Sequence, residues 1–389
     1  MPVKNRLADM ADDITAWRQH LHAHPELMFD VHETADFVVE RLRAFGVDEI
    51  TEGVGRTGVV GVIKGKTDTS GRVIGLRADM DALPIEEATG LDYASTVPGK
   101  MHSCGHDGHT SMLLGAAQYL AETRNFDGTV VLIFQPAEEG GGGGLEMVKD
   151  GMMDRWNVQE VYGLHNMPGL SVGQFAIRSG ALLASADEFQ IHVTGQGGHA
   201  AAPHEAVDTT LVASHIVVAL QSVVARNVNP VRRVVVTVGT FETDSNASNV
   251  IAHKVTMRGT VRTLDAECRK LAEGRIRRLA EDIASGFGAT AVVDWQDGYP
   301  VTVNHEAETR YAAEAARAVA GDVDDAVDPI MPAEDFSYML EARPGAYIFL
   351  GNGDTAQCHH PAYNFSDDAI PAGCSWFAEL VERRMPAVS

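Results

Sequence analysis

The sequence predicts an α/β domain interrupted by a smaller α+β domain. Three observations carry that expectation. Short, nearly unbroken apolar runs bounded by Gly, Pro or Asp alternate with helical patterns early in the chain and return near its end, as buried strands do. Between them, after about Leu183, the strands alternate polar and apolar residues, as half-exposed antiparallel strands do. The length, 389 residues, exceeds the size at which one hydrophobic core usually keeps growing. The expected division is 1–183 with 297–389 as one domain and 184–296 as an insertion.

The elements follow in order. "ITAWRQHLHAHPELMFDVHETADFVVERLRAFG" reads as two helices broken near Pro25, with Trp17, Leu21, Phe37, Val38, Leu42 and Phe45 at helical spacing. "TGVVGVIKG", "RVIGLRADM", "GTVVLIFQPAEEG" and "EVYGLHNMP" read as buried strands, with a helix over Gly108 to Glu122 between the second and third. In the insertion, "DEFQIHVTG" and "HKVTMRGTVRT" are alternating strands and "RRVVVTVGTF" a more apolar one. Two helices, about Val207 to Ala225 and Ala266 to Ser285, accompany them, and the insertion closes near "AVVDWQDGYP". "GAYIFLGNGD" and "CHHPAYNF" then resume the first style. Strands alternating with helices place reactive residues at strand C-terminal ends.

Composition narrows the function classes. Lys plus Arg number 31 against 54 Asp plus Glu, a formal charge of −23. That balance argues against nucleic acid or an anionic membrane surface, both of which need basic patches. No segment approaches the ~18 consecutive apolar residues of a membrane span, and the N-terminus lacks a signal-like apolar stretch. Four dispersed cysteines, Cys104, Cys268, Cys358 and Cys374, are no disulfide framework, so a reduced, cytoplasmic protein is expected.

"MHSCGHDGHT" crowds Cys104 and His106 into a loop before a helix, a spacing that lets two ligands reach one ion. Alone it fits a metal site or a chance histidine cluster equally. "FQPAEEGGGGG" ends an apolar strand on Glu138 and Glu139. Adjacent residues there point in different directions, so one carboxylate can bind metal while the other stays available as a base. "YGLHNMP" brings His165 to another strand end, and "QCHHPAYNF" adds His359 and His360. Four such deliveries would make a site for two divalent ions.

"LRADMDALP", "MHSCGHDGHTSMLLGAA", "FQPAEEGGGG", "GLHNMP", "GQGGHAAAPH", "NVIAHKVTMRGTVRT", "MPAEDFSYM" and "LGNGDTAQCHHPAYNF" occur in that order. From about residue 15 to 380 the chain resembles the hippurate hydrolase, aminoacylase and plant auxin-conjugate amidohydrolase family of dinuclear metallohydrolases. The resemblance implies a catalytic domain like that of the dizinc exopeptidases and a ferredoxin-like insertion serving as lid and dimerisation domain. It implies two divalent ions (Mn, Zn, Co or Ni), with Cys104 as bridging thiolate and His106, Glu139, His165 and His359 as the other ligands. Glu138 takes the general-base position and Asp79 that of the carboxylate orienting a ligand. His199 resembles a histidine that reaches the active site, often from the partner subunit. Asn249 and Arg262 match positions on the substrate's carboxylate side. Asp107 and His109 are expected to support the helix start rather than bind metal. His360 falls at a variable position, and Cys358 stands where the family often has leucine. The substrate implied is an N-acyl amino acid, and the assembly a homodimer or homotetramer. Two other readings stay open: a cysteine hydrolase with Cys104 as nucleophile, and a non-catalytic metal-binding protein on the same scaffold.

Overall fold

Consecutive β-branched and aromatic residues suit a strand covered on both faces, and four of the expected runs form adjacent strands of one sheet. In the computed structural model, which describes residues 4–388, the strand Val73–Asp79 lies between Thr129–Gln135 and Glu160–Pro168, parallel to both. Gly345–Gly353 continues the parallel set beyond Glu160–Pro168. On the other side, Gly58–Lys64 and Glu49–Val54 add antiparallel strands. The two-residue strands Phe175–Ala176 and Val323–Asp324 complete an eight-stranded mixed sheet. Because the central strands are parallel, their C-terminal ends share one edge.

The sheet belongs to a first compact unit, formed by the residues up to Leu182, Val303–Asp328 and those from Asp335 onward. Its central helix, His106–Thr123, is buried almost throughout. It packs against Ala11–Ala23, His32–Phe45 and Ile370–Arg384. Close approach to the last helix depends on Gly373, where a Cβ would run into Met112. Three elements of this unit were not anticipated. The edge strand Glu49–Val54 is mostly exposed and lacks an apolar run. Glu306–Ala320 buries a stripe of alanines rather than large side chains. Ile370–Arg384 opens on Pro371, which reads as a turn signal although proline is favoured in a helix's first turn.

The second unit contains Leu183–Thr302 and Pro329–Glu334. Its strands are Ser185–Thr194, Val234–Thr243, Lys254–Thr263 and Thr290–Gln296, all antiparallel. With the helices Thr209–Ser222 and Ala266–Gly286 they run strand–helix–strand–strand–helix–strand along the chain. Across the sheet the second strand comes first, then the third, the first and the fourth. Val212, Ile216 and Leu220 of one helix and Ala272, Ile276 and Ala280 of the other share a core with Phe189, Ile191, Val255 and Met257. Asp208 caps the first helix through the Thr210 and Leu211 N–H groups. Val234–Thr243 takes a sheet edge and exposes Val235 and Phe241, which accounts for its unusually apolar sequence without deep burial. The Thr209–Asn227 helical stretch is long and apolar enough to cross a membrane by length and composition only, although polar residues interrupt it. Its inward side is nevertheless packed on this unit's core.

Besides Leu183, which falls in the second unit, the division differs from the expected one at two places. Residues 297–302 stay with the second unit, where Asp187 accepts from the Gly298 N–H at 3.1 Å and Arg269 donates to the Gly298 carbonyl at 3.0 Å. Pro329–Glu334, assigned by sequence to the flanking domain, is held there by a Leu183–Ile330 bridge and the Ala184 N–H bond to the Pro332 carbonyl.

Candidate metal centre

The parallel strand ends of the first unit deliver the reactive side chains, and buried polar groups aim them. Asp79, the last residue of its strand, is fully buried and accepts a 2.6 Å hydrogen bond from His109 Nδ1. His109 Nε2 in turn accepts the Asn166 N–H at 3.0 Å. Both ring nitrogens of His109 are thereby engaged, which makes it a support. Asp81, two residues further on, accepts the Glu138 N–H at 2.9 Å and the Glu139 N–H at 3.1 Å. It fixes the backbone that carries the two glutamates. Sequence reasoning passed over Asp81, although "RADMD" offers it beside Asp79.

Cys104 and His106 flank Gly105, which adopts φ 86° at the start of the central helix. A Cβ there would strike the Asn166 and Tyr363 side chains. Those two side chains are part of the scaffold. Asn166 Nδ2 donates to the Cys104 carbonyl at 2.5 Å, and Tyr363 Oη donates to Asn166 Oδ1 at 2.7 Å. Both lie inside motifs of the sequence, "GLHNMP" and "CHHPAYNF", whose histidines alone point to metal.

The ring orientations expose one lone pair each. His106 Nδ1 donates to the Asp81 carbonyl at 2.8 Å, and His165 Nδ1 to the Asn166 carbonyl at 2.6 Å. A carbonyl only accepts, so Nδ1 carries the proton and Nε2 faces the centre. There His165 Nε2 lies 3.4 Å from Cys104 Sγ. His106 Nε2 lies 4.0 Å from both Glu138 Oε2 and Glu139 Oε1. His359 Nε2 lies 3.2 Å from Glu139 Oε1. His359 has φ 66° and its N–H donates to the Ser103 carbonyl at 2.8 Å.

The donor atoms of Cys104, His106 and His165 lie within 4.8 Å of one another, and so do those of Cys104, Glu139 and His359. Cys104 belongs to both triplets. His106 Nε2 is buried without a hydrogen-bond partner. Such an atom costs ~1–3 kcal/mol, and a cation would satisfy it. Thiol, imidazole and carboxylate together suit Zn, Mn, Co or Ni, so the residues present fit metal.

Comparison with known proteins identifies the family. The description "Peptidase family M20/M25/M40" matches residues 75–383. The chain belongs to this family. It is 41% identical over 376 residues to the hippurate hydrolase of Campylobacter jejuni, covering 96% of this chain and 97% of that one. It is 40% identical over 378 residues to the N-acetyl-L-cysteine deacetylase of Bacillus subtilis, covering 97% and 89%. The crystal structure of the Bacillus subtilis YXEP protein, described as a dinuclear metal binding peptidase from the M20 family, superposes with a TM-score of 0.86. That match has 34% identity and covers 98% of this chain and 100% of that one. This M20 chain is therefore a metal-binding hydrolase acting on amide bonds.

The electrostatics of the M20 centre suit ligands better than a cysteine nucleophile. Desolvation by burial brings His165 down to about 3, so it is neutral and ready to bind. Burial works against the charge of His106, but Asp79 and Asp81 outweigh it and push its pKa up to about 10. A cation at His106 Nε2 would therefore compete with a proton. Contact with Cys358, then burial, pushes the Cys104 thiol well up. A nucleophilic cysteine needs the opposite shift and an effective base, whereas His165 beside it is a very weak base.

His199, Asn249 and Arg262 lie in the second unit and do not form one group. Gly198–His199 pairs with Val250–Ile251, placing exposed His199 next to exposed Asn249. The Ala200 N–H donates to the Asn249 carbonyl, and His199 Nδ1 accepts the Ala201 N–H, each at 3.0 Å. Accepting there puts the ring's proton on Nε2. Both residues line an open pocket of ≈ 590 Å³ with Asp244, Ser245 and His253. Arg262 lies at the other end of its strand, opposite Ala186, whereas Lys254, nearest the His199 ribbon in sequence, pairs with Thr194. Eight residues of strand span roughly 26 Å.

Proposed function

We propose that this chain hydrolyses the amide bond of N-acyl amino acids at a centre of two divalent cations. The overlap of the two donor triplets at Cys104 is the observation that carries the reading. In it, Cys104, His106, Glu139, His165 and His359 hold the ions, and Asp79 and Asp81 fix the ligands from behind. Two such cations, when bound, would polarise a carbonyl and lower the pKa of water toward ~7.

Glu138 is the base. Its Oε2 stands at the edge of the ligand set, 4.0 Å from His106 Nε2. It takes the proton of the attacking water and delivers it to the leaving amine. The His199 Nε2–H donates to the oxygen that becomes negative. Arg262 binds the free carboxylate as a charge-assisted pair, with Asn249 beside the substrate. The distance between His199 and Arg262 supports a site completed by a second copy of the chain, which supplies His199. The strand order of the second unit supports a ferredoxin-like fold, which in this reading also serves as lid and dimer contact.

The relatives' names, hippurate hydrolase and N-acetyl-L-cysteine deacetylase, support the substrate class. The test is a hydrolysis screen over N-acyl amino acids with protein loaded with Mn, Zn, Co or Ni. The expected result is turnover abolished by chelator, restored by metal and lost in Glu138→Gln. Turnover that survives chelation, or an unchanged rate in Glu138→Gln, overturns the mechanism.

A further inference from the structure

The glycine run after Glu139 and the motif "MPAEDFSYM" have no part in the centre as read above, yet they meet behind it. Arg77 and Asp79, two residues apart on one strand, point to the same face, and both are fully buried. Arg77 Nη1 donates to Asp79 Oδ2 at 2.6 Å and to Tyr347 Oη at 3.2 Å. Its Nη2 donates to Asp335 Oδ1 at 3.0 Å, and its Nε to Gln135 Oε1 at 2.9 Å. Gln135 Nε2 lies 2.8 and 2.9 Å from the two Asp335 carboxylate oxygens. The Gly144 N–H donates to Asp335 Oδ2 at 2.8 Å. These partners of Asp335 all donate, as an ionised carboxylate requires. Glycine at 144 is what admits it: a Cβ there would stand 2.9 Å from the Asp335 carbonyl oxygen and 3.2 Å from its carboxylate. One residue earlier, the Gly143 N–H donates to the Ala137 carbonyl at 3.0 Å and closes the turn that carries Glu138 and Glu139.

We infer that Arg77 and Asp335 are positioning residues for the metal centre, joining the turn of the two glutamates and the loop of Cys104 through one buried guanidinium. On one side, Asp335 holds Gln135, where the strand enters the glutamate turn, and Gly144, where the chain leaves it. The turn is thereby anchored at both ends. On the other side, Arg77 holds Asp79, whose second oxygen accepts from His109 Nδ1 at 2.6 Å. His109 holds the Asn166 N–H, and Asn166 holds the Cys104 carbonyl. Apolar side chains of similar volume can fill a buried place about as stably as an ion network, so stability alone does not account for these charges. What the charges add is fixed direction, and every group they direct leads to a ligand or to the base. They also set the local field. One guanidinium between two carboxylates leaves one negative charge unbalanced beside the ligands, which favours cations. The inference rests on the ligand reading of Cys104 and Glu139 and on Glu138 as base.

The experiment compares the full-length wild type with Asp335→Asn, Arg77→Lys and Ile74→Val. Asn keeps the shape of Asp335 without its charge, and Lys keeps the charge of Arg77 without its fork. Ile74 is a buried apolar residue of the same strand, outside the network. Three quantities are read: Mn²⁺ affinity by calorimetric titration of the folded, metal-free chain, kcat and KM under saturating Mn²⁺, and Tm. The expected result is Mn²⁺ affinity ~10–100-fold weaker in both network variants. Their kcat should fall at least ~10-fold with KM within about threefold of wild type. Ile74→Val should lower Tm and leave affinity and kcat as in wild type. Network variants that lose only Tm, an equal loss of Mn²⁺ affinity in Ile74→Val, or failure of both network variants to fold overturns the proposal and leaves Arg77 and Asp335 a structural role. Wild type that takes up no Mn²⁺, Zn²⁺, Co²⁺ or Ni²⁺ overturns the ligand reading itself, and the inference with it.

Discussion

Asp81→Asn isolates the backbone clamp under the two glutamates. The Asp81 carboxylate accepts the N–H groups of Glu138 and Glu139 with separate oxygens, at 2.9 and 3.1 Å. An amide of the same shape has one acceptor oxygen, so in either orientation one N–H group faces an NH₂. One unsatisfied buried donor costs ~1–3 kcal/mol. That cost should appear in chemical denaturation of the metal-free protein, with the m-value unchanged. The same substitution loosens both glutamates, and losing support of this kind typically weakens metal binding or activity ~10–100-fold. Calorimetric titration of Mn²⁺ and the rate on an N-acyl amino acid measure the two effects. Wild-type stability together with wild-type metal affinity and rate in Asp81→Asn would refute the reasoning.

Other consequences can be checked separately. His22 bridges Asp107 at 2.8 Å and Glu87 at 3.3 Å; burial works against its charge, but these carboxylates raise its pKa to about 9. Relative to an unfolded pKa of about 6.5, this contributes roughly 3 kcal/mol. The contribution is complete below pH 6.5 and lost as pH rises through 9, so His22→Gln should flatten wild-type stability over that window in denaturation series. Gly105→Ala forces a side chain to φ 86° and into Asn166 and Tyr363. It should cost more than ~1–2 kcal/mol and at least tenfold in Mn²⁺ affinity, measured on the same samples. His199→Ala removes an exposed donor, so kcat should fall ~10²–10³-fold with Tm unchanged. Mixing His199→Ala with Glu138→Gln protein should restore about a quarter of wild-type activity if each site of a symmetric dimer draws its histidine from the partner; no recovery after verified subunit exchange would contradict the shared site.

Much of this architecture is legible in the sequence because buried strands and reactive strand ends are local signals. "VVLIFQPAEE" shows both the strand and the carboxylates it delivers. The structure brings Cys104, His106, Glu139, His165 and His359 together, although they span more than 250 positions. What escaped is what depends on partners distant in sequence. Asn166 matters because Tyr363 and Cys104 meet it. The Glu306–Ala320 helix buries alanines whose value lies in what they pack against, such as Trp376, whose indole N–H donates to the Ala312 carbonyl. The separation of Arg262 from His199 follows from strand register, which spacing along the chain does not reveal.

The central claim is that one sulfur serves two ions. Anomalous diffraction from crystals of the Mn- or Zn-loaded chain tests it most directly. The expected result is two anomalous peaks, both within bonding distance of Cys104 Sγ, one also bound by His106 and His165 and the other by Glu139 and His359. A single peak, or two peaks with Cys104 Sγ bound to neither, would contradict it.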